Sequence, residues 1–238
     1  MKKEVFWFKQ FFVNQDKCAM KIGTDGVLLG AWAAIKHNPA SILDIGTGTG
    51  IIALQLAQRS DAELIDAIEI EDNAYEQAVE NFENSPWGDR LFCYHTSLEE
   101  FANEIDETYD LIVSNPPFYS DEFLSNNKAR NIARSTTSLP FDMLLKNASA
   151  LLSENGVFTT ILPHKEEENF IQLAENYNLF INRICRVKGT PATEIKRSLL
   201  EFSFLKSTIE TNEMIIENQR HNYTDDYTNL VKDFYLKM

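Results

Sequence analysis

A glycine-rich turn between an apolar strand and a helix is the feature that most restricts the fold of this 238-residue chain. Residues 43–52 have the sequence Leu-Asp-Ile-Gly-Thr-Gly-Thr-Gly-Ile-Ile, so Gly46, Gly48 and Gly50 alternate directly after an apolar run. Glycine allows positive φ and lets a ligand approach the backbone closely. The spacing is Gly-x-Gly-x-Gly, whereas the dinucleotide-binding fingerprint is Gly-x-Gly-x-x-Gly. The turn therefore predicts a ligand site of another kind, unless it is only a tight strand–helix connection.

Apolar strands and amphipathic helices alternate along the rest of the chain, which predicts an α/β fold with a mostly parallel sheet between two layers of helices. The predicted strands are 41–45, 63–69, 91–95, 109–114, 157–162, 180–187 and 198–205. The predicted helices are 51–58, 73–84, 98–105, 142–152, 165–177 and a short one over 223–238. Asn-Gly at 155–156 should end the fourth helix. No helix separates the last two strands, so we expect them to be antiparallel.

The length suits one domain. We expect residues 1–37 to form an N-terminal lid and helix, 38–206 the sheet core, and 207–238 a C-terminal extension. The aromatic residues at positions 6–12 favour a buried strand, although they could instead stack on nucleic-acid bases.

Charge is distributed very unevenly. The net charge is −14, but residues 61–122 hold 18 acidic residues and one basic residue, a charge of −17 that leaves +3 elsewhere. Since electrostatic attraction to phosphate acts over roughly 8–10 Å, a local basic cluster can bind RNA on an acidic protein. The clusters are Lys2, Lys3, Lys9, Lys17 and Lys21, then Lys128, Arg130 and Arg134, and finally Arg183, Arg186, Lys188, Lys196 and Arg197.

Compartment and metal content follow from what the sequence lacks. No run of 18 apolar residues is present, so we expect no membrane partner. Cys18, Cys93 and Cys185 are far apart in sequence and odd in number, which favours neither a metal site nor a disulfide framework. We expect a cytoplasmic protein without a metal, acting as a monomer.

Several residues near the glycine turn have side chains suited to a nucleotide-like cofactor. Asp44 precedes the turn and could organise its amides or orient a ligand ammonium group. Glu69 ends the second predicted strand, 19 residues beyond Gly50, where a carboxylate can accept hydrogen bonds from ribose hydroxyls. Ser97 and Leu98 follow the third strand, where they could contact an adenine ring. S-adenosylmethionine is a ligand of this kind, and its amino-acid end would lie against the glycines.

The fourth predicted strand ends in Asn115-Pro116-Pro117-Phe118. Two prolines fix φ and remove two amide donors, which leaves carbonyl groups available. The carbonyl oxygens of the Asn115 side chain and the Pro116 main chain could accept both hydrogens of a planar amine, and Phe118 offers a face for a base. The sequence therefore predicts that Asn115, Pro116 and Phe118 are catalytic. It places Pro117 and Tyr119 beside the base that carries the amine.

These motifs in this order resemble class I S-adenosylmethionine-dependent methyltransferases. The match narrows at residues 21–32 (Lys-Ile-Gly-Thr-Asp-Gly-Val-Leu-Leu-Gly-Ala-Trp), 8–11, 115–118, 223–227 and 232–236. These segments resemble the bacterial tRNA(Val) adenine-N6-methyltransferase family over essentially the whole chain. The resemblance implies methylation of N6 of adenosine 37 beside the anticodon, and a seven-stranded mixed sheet of order 3-2-1-4-5-7-6.

The resemblance also implies further site residues. Residues 21–32 would form a lid over the cofactor, with Lys21 and Asp25 contacting it, although Asp25 could equally cap a helix beginning at Gly26. Residues 120–138 would shape the target pocket. We assign phosphate contacts first to Lys128, Arg130 and Arg134, and second to Lys188, Lys196 and Arg197.

Other functions remain open at this stage. Asn-Pro-Pro-aromatic motifs also serve enzymes that methylate guanine N2 of ribosomal RNA or the glutamine amide of release factors. A nicotinamide-dependent oxidoreductase would need a later third glycine and a proton donor. A non-catalytic RNA-binding module would have no need of Asn115 between the strand and two prolines.

Overall fold

The computed structural model describes residues 4–117 and 139–238. The strands in these ranges are β1 (Val5–Trp7), β2 (Phe12–Asn14), β3 (Ser41–Ile45), β4 (Leu64–Glu69), β5 (Leu91–His95), β6 (Tyr109–Ser114), β7 (Leu152–Pro163), β8 (Phe180–Lys188), β9 (Ile195–Ser203), β10 (Glu210–Ile215), β11 (Glu217–Gln219) and β12 (Asn222–Tyr223). The α-helices are α1 (Thr24–Trp32), α2 (Ile51–Arg59), α3 (Asp72–Glu83), α4 (Leu98–Glu104), α5 (Phe141–Leu151), α6 (Glu167–Glu175) and α7 (Asp225–Val231).

Eight strands form one sheet in the order β10-β8-β9-β7-β6-β3-β4-β5. Neighbouring strands are parallel except where β9 runs antiparallel to β7 and β8. Counted from β3 to β9 in chain order, the strand order 3-2-1-4-5-7-6 and the antiparallel last strand are confirmed. The expected number of seven strands is wrong, because β10 adds an eighth strand parallel to β8. The C-terminal extension therefore contributes to the sheet.

Helices cover both faces of this sheet, as the strand–helix alternation predicts. One buried cluster lies under α1 and α2, with Leu28, Leu54 and Val113 among its members. The other lies under α5 and α6 and includes Leu144, Phe158 and Phe170. The parallel strands of this sheet are buried on both faces. Because they run in the same direction, their carboxyl ends lie together at one edge, where ligand sites of parallel sheets form.

The end of α5 differs from the prediction. The helix stops at Leu151 and β7 starts at Leu152, so Asn155 and Gly156 lie within the strand instead of ending the helix. The pairing with β6 passes from Tyr109–Leu152 to Leu111–Val157, which leaves four β7 residues opposite one β6 residue. The Asn-Gly pair therefore belongs to a bulge in β7 and not to a helix terminus.

The N-terminal aromatic residues divide into two groups. Phe8 and Phe11 are buried in the core, as expected, and their rings stack with centroids 4.7 Å apart. Trp7 is 58% exposed. The short hairpin of β1 and β2 joins α3 through Asn81, whose Oδ1 accepts from the Asn14 amide at 2.8 Å. The Asn81 Nδ2 donates to the carbonyls of Asn14 at 2.9 Å and Thr49 at 2.8 Å, so one side chain links the hairpin, the glycine turn and α3.

Candidate active site

A cavity of about 400 Å³ opens at the carboxyl edge of the sheet, where β3, β4, β5 and β6 end. Its walls bring together predicted residues from four separate segments: Gly46, Gly48, Glu69, Ser97, Leu98, Asn115, Pro116 and Pro117. Leu139, Pro140 and Met143 line it as well. The residues predicted for the cofactor and for the target amine therefore share one cavity.

Each glycine of the turn has a positive φ, namely 71° at Gly46, 57° at Gly48 and 81° at Gly50. A Cβ added at Gly46 or Gly48 would meet no atom of the described residues within 4 Å, so the space in front of the turn is open. Gly50 does not line the cavity; it precedes α2, and a Cβ there would lie 2.5 Å from Cε1 of Phe82. Gly46 and Gly48 leave room for a ligand, whereas Gly50 allows the turn to pack on α3.

Asp44 is fully buried beneath the turn. Its Oδ2 accepts from the Thr47 hydroxyl at 2.6 Å and from the Ala53 amide at 3.3 Å, so it organises the loop as predicted. Its Oδ1 has no hydrogen-bond partner among the described residues. Burial raises the pKa of Asp44 to about 7, because the charged form loses its hydration. A cationic group placed near Oδ1 would satisfy this oxygen and stabilise the charge.

Glu69 fixes the turn to the end of β4. Its Oε2 accepts from the Gly48 amide at 2.9 Å, and its Oε1 accepts from the amides of Ile70 at 2.9 Å and Glu71 at 3.0 Å. A carboxylate has about four lone-pair sites, so these three bonds leave it able to accept one more donor without rearrangement.

In the cavity wall after β5, the Ser97 side chain is not free to make the expected contact with an adenine ring. Ser97 lines the cavity, but its hydroxyl donates to Glu100 Oε2 at 2.8 Å and accepts from the Glu100 amide at 3.2 Å. It is the N-cap of α4 in a capping box, which occupies the side chain. Leu98 supplies apolar surface, and Glu99 beside it also lines the cavity.

The end of β6 is held by its two neighbouring strands. The Ser114 hydroxyl donates to the Ile45 carbonyl at 3.0 Å, and the Thr160 hydroxyl donates to the Ser114 carbonyl at 2.8 Å. Asn115 follows directly and is half-buried, and Pro116 is buried. These bonds restrict where Asn115 can lie. Phe118, Tyr119, Lys128, Arg130 and Arg134 lie outside the described residues.

Six other predicted residues do not line the cavity: the buried Asp44, described above, and five charged residues. Lys21 pairs with Glu4, and Lys188 pairs with Glu213 at 3.0 Å. Asp25 neither caps a helix nor reaches the cavity: α1 begins at Thr24 after Gly23, and the Asp25 Oδ2 accepts from Arg197 Nε at 2.8 Å. Lys196 is exposed.

Most of the 21–32 segment, predicted to form a lid over the cofactor, lies elsewhere in the structure. Helix α1 is buried from Gly26 to Trp32 and packs against α2, so this part of the 21–32 segment belongs to the core. The cavity wall is formed instead by Cys18, Ala19 and Met20, which no sequence motif singles out. Burial and then the charge of Glu69 raise the pKa of Cys18 to about 12, which keeps its thiol protonated.

Within residues 4–117 and 139–238, no three His, Cys, Asp or Glu side chains are grouped so that they could hold a metal ion. No helix in these ranges is long and apolar enough to cross a membrane.

The sheet order and the position of the cavity define a class I methyltransferase fold. A predicted O-methyltransferase from Agrobacterium tumefaciens matches with a TM-score of 0.68 and 18% identity, over 88% of this chain and 96% of that one. The M. jannaschii protein TYW2, solved in complex with AdoMet, matches with a TM-score of 0.55 and 13% identity, over 84% of each chain. At these identities the likeness concerns the fold alone.

Sequence comparisons narrow the class to a family. The model of the methyltransferase small domain matches residues 25–178. Proteins named tRNA1(Val) (adenine(37)-N6)-methyltransferase are 60% identical in Flavobacterium johnsoniae, over 98% of this chain and 100% of the relative, and 58% identical in Christiangramia forsetii, over 100% of both. A relative of the same name in Bacteroides fragilis is 44% identical over 100% of both chains. The chain belongs to the methyltransferase small domain family and to the family of these tRNA1(Val) (adenine(37)-N6)-methyltransferases.

Proposed function

We propose that this protein transfers a methyl group from S-adenosylmethionine to N6 of adenosine 37 in a valine tRNA. The observation on which this rests most is that Asn115, Pro116 and Pro117 line the same cavity as Gly46, Gly48 and Glu69. The names of the full-length relatives support the choice of adenosine 37.

The cavity fits the cofactor by the chemistry of its donors and acceptors. The open space before Gly46 and Gly48 would receive the amino-acid end, and the unpartnered Oδ1 of Asp44 would accept from its ammonium group. The Glu69 carboxylate would accept from a ribose hydroxyl, and Leu98 would pack on the adenine. Ser97 would lie in this part of the wall, with its hydroxyl and its backbone amide both held by Glu100. When bound, the cofactor supplies an electrophilic methyl group on a sulfonium.

Asn115 and Pro116 would position the nucleophile. The Asn115 side-chain carbonyl and the Pro116 main-chain carbonyl accept the two hydrogens of the adenine N6 amine, which favours a tetrahedral nitrogen whose lone pair is free to attack. Alignment of reactants can supply roughly 7–11 kcal/mol, so the reaction needs no strong general base. The N6 nitrogen would bond to the methyl carbon as the carbon–sulfur bond breaks, the amine would lose its proton to solvent after the attack, and S-adenosylhomocysteine would be the second product. An amide at position 115 keeps this site neutral. Phe118 would stack on the target base, with Pro117 and Tyr119 completing the pocket.

The tRNA would approach the carboxyl edge of the sheet, where an adenosine of the anticodon loop can leave its stack at a cost of a few kcal/mol. Lys128, Arg130 and Arg134 would contact phosphates, with Lys188, Lys196 and Arg197 as a second group. Lys21 and Asp25 pair with Glu4 and Arg197 away from the cavity wall, so the proposal gives neither of them a contact with the cofactor. One chain supplies every described wall of the cavity, so the proposal needs no partner subunit and describes a monomer, placed in the cytoplasm with its tRNA.

Incubation with labelled S-adenosylmethionine tests the proposal. Unmodified total tRNA, ribosomal RNA and release factor are supplied in parallel, and labelled nucleosides are identified after nuclease digestion. We expect N6-methyladenosine in tRNA1(Val), and no label in the same tRNA carrying guanosine at position 37. Label in ribosomal RNA or in protein alone would overturn the assignment.

A further inference from the structure

A second cavity of about 460 Å³ lies between the N-terminal hairpin and the C-terminal segment. Aromatic side chains make up much of its wall: Phe6, Trp7, Tyr223, Tyr227 and Tyr235. Lys237 and Glu217 add one charge of each sign. The methyl-transfer chemistry proposed for the first cavity uses none of these residues.

Two of these rings are open to solvent, although large aromatic side chains are usually buried. Trp7 is 58% exposed and Tyr223 is 38% exposed. Each packs at a tilted angle against another ring, Trp7 against Phe12 with centroids 5.0 Å apart and Tyr223 against Tyr227 at 5.4 Å. The surface is therefore made of supported flat faces that can accept another planar group at little conformational cost.

This aromatic cavity lies at the same edge of the sheet as the candidate active site. Ile216 follows β10, and its amide donates to the carbonyl of Lys188 at the carboxyl end of β8 at 3.0 Å. Thr24 belongs to its wall, and Met20 belongs to the wall of the first cavity. Four residues of extended chain span at most about 14 Å, so the two walls are close enough for one RNA loop to reach both.

We propose that the aromatic cavity binds an unpaired base of the same tRNA whose adenosine occupies the first cavity. Single-stranded RNA is recognised mainly by stacking unpaired bases on aromatic side chains, and each such contact contributes on the order of 1–3 kcal/mol. Lys237 is available for a flanking phosphate, and the Glu217 carboxylate for an amine on the edge of the base. This inference rests on the proposed function, because it takes tRNA as the substrate.

Steady-state methylation of tRNA1(Val) by Trp7→Leu and Tyr223→Leu tests the inference. We expect each variant to raise KM for tRNA at least fivefold and to leave kcat and the cofactor Kd within twofold of the parent. Phe92→Leu is the matched control, since Phe92 is 44% exposed but lies on β5 at the opposite end of the sheet. Thermal unfolding establishes that each variant is folded, and Tyr223→Leu alone decides the kinetic test if Trp7→Leu is not.

Tryptophan fluorescence gives a readout that does not depend on catalysis. Trp7 is exposed while Trp32 is buried and Trp87 half-buried, so tRNA should quench the parent protein and not Trp7→Leu. Unchanged KM in both variants, or equal quenching with and without Trp7, overturns the aromatic cavity as a base site. Absence of methylation by the parent protein overturns the proposed function instead, and loss of quenching in Trp7→Leu still supports the base site.

Discussion

The two sides of the carboxyl edge use their charged side chains differently. On the side of β3 and β4, Glu69 accepts from the Gly48 amide of the glycine turn, and Asp44 accepts from the Thr47 hydroxyl of the turn and from the Ala53 amide of α2. On the side of β8 and β9, Arg197 and Lys188 pair with the side chains of Asp25 and Glu213. The first side is therefore arranged before any ligand binds, whereas on the second side Arg197 and Lys188 must each exchange an ion pair for a phosphate contact.

On the side of β8 and β9, polar and charged side chains already bond to one another, and Glu167 is an example. It accepts from Arg186 at 2.6 Å and from the Ser198 hydroxyl, and it lies 3.0 Å from His164. Burial alone would raise the pKa of Glu167, but the hydrogen bonds from Arg186 and Ser198 hold it below its usual value. Arg186 is thus committed to the fold. Since partly exposed ion pairs contribute only about 0.2–1 kcal/mol, we expect single cations here to affect RNA binding weakly.

The largest effect should come from Asn115→Ala. Loss of one polar contact that is aimed at the reacting group commonly lowers kcat by about 10²–10³-fold, and we expect a loss of this size or greater. The cofactor Kd, measured by calorimetry, should stay within twofold because the glycine turn is intact. Asn176→Ala, an exposed asparagine after α6, is the control. Equal losses of turnover and cofactor affinity would contradict the assignment of Asn115 to the target amine and of the glycine turn to the cofactor.

Asp44→Asn should weaken cofactor binding about 10- to 100-fold, since a charge-assisted hydrogen bond contributes roughly 1.5–3 kcal/mol. Burial raises the pKa of Asp44 to about 7, so a proton competes with the cofactor ammonium below that pH. The parent Kd should rise about tenfold for each pH unit below 7, and the variant should lose this dependence. A parent Kd that is flat from pH 5 to 8 would contradict the assigned contact.

The same pKa predicts the stability of the protein without cofactor. The folded pKa of Asp44 is raised, so its ionised form is disfavoured in the fold and the unfolding free energy falls as pH rises from about 4 to 7. Asp44→Asn should therefore have a higher Tm than the parent at pH 8 and a similar Tm at pH 4, in the absence of cofactor.

Gly50→Ala should destabilise the protein by about 1–3 kcal/mol, because the residue has φ of 81° and the new Cβ would clash with Phe82. Gly23→Ala is the control, since a Cβ at Gly23 meets nothing within 4 Å in the described structure and its φ is −117°. Denaturant unfolding measures both. An unchanged midpoint for Gly50→Ala would mean that the turn is less rigid than its hydrogen bonds indicate.

The smallest effects should appear at the ion pair of Asp25 and Arg197. Asp25→Asn releases Arg197 and removes a negative charge, so we expect KM for tRNA to fall about two- to fivefold at low salt. Arg197→Ala should raise KM by a similar factor, with less effect at high salt. If Arg197→Ala instead raises KM more than a hundredfold, Arg197 does more than exchange its ion pair for one phosphate contact, and the contrast between the two sides fails.

The parts of the fold that could be predicted are those whose cause is local in sequence. The glycine turn, Glu69 at the end of β4 and Asn115 after β6 follow from periodicity and from residues adjacent to a strand end. Strand β10 was missed because Met214 is its only buried residue, so its sequence lacks the strand pattern. Cys18 was missed because its place in the cavity depends on contacts between the hairpin and α3, about 60 residues away. Asp25 meets Arg197 across 172 positions, which no local pattern encodes.

The side-chain amide of Asn81 couples the position of the N-terminal hairpin to that of the glycine turn. It bonds to the hairpin and to the glycine turn at once, so neither can leave its place without stranding a buried donor or acceptor. A shortened version of the chain that keeps the sheet but omits the first twenty residues would lose one wall of the cavity and two of the three partners of Asn81. The hairpin is therefore a part of the enzyme that protein engineers cannot trim away.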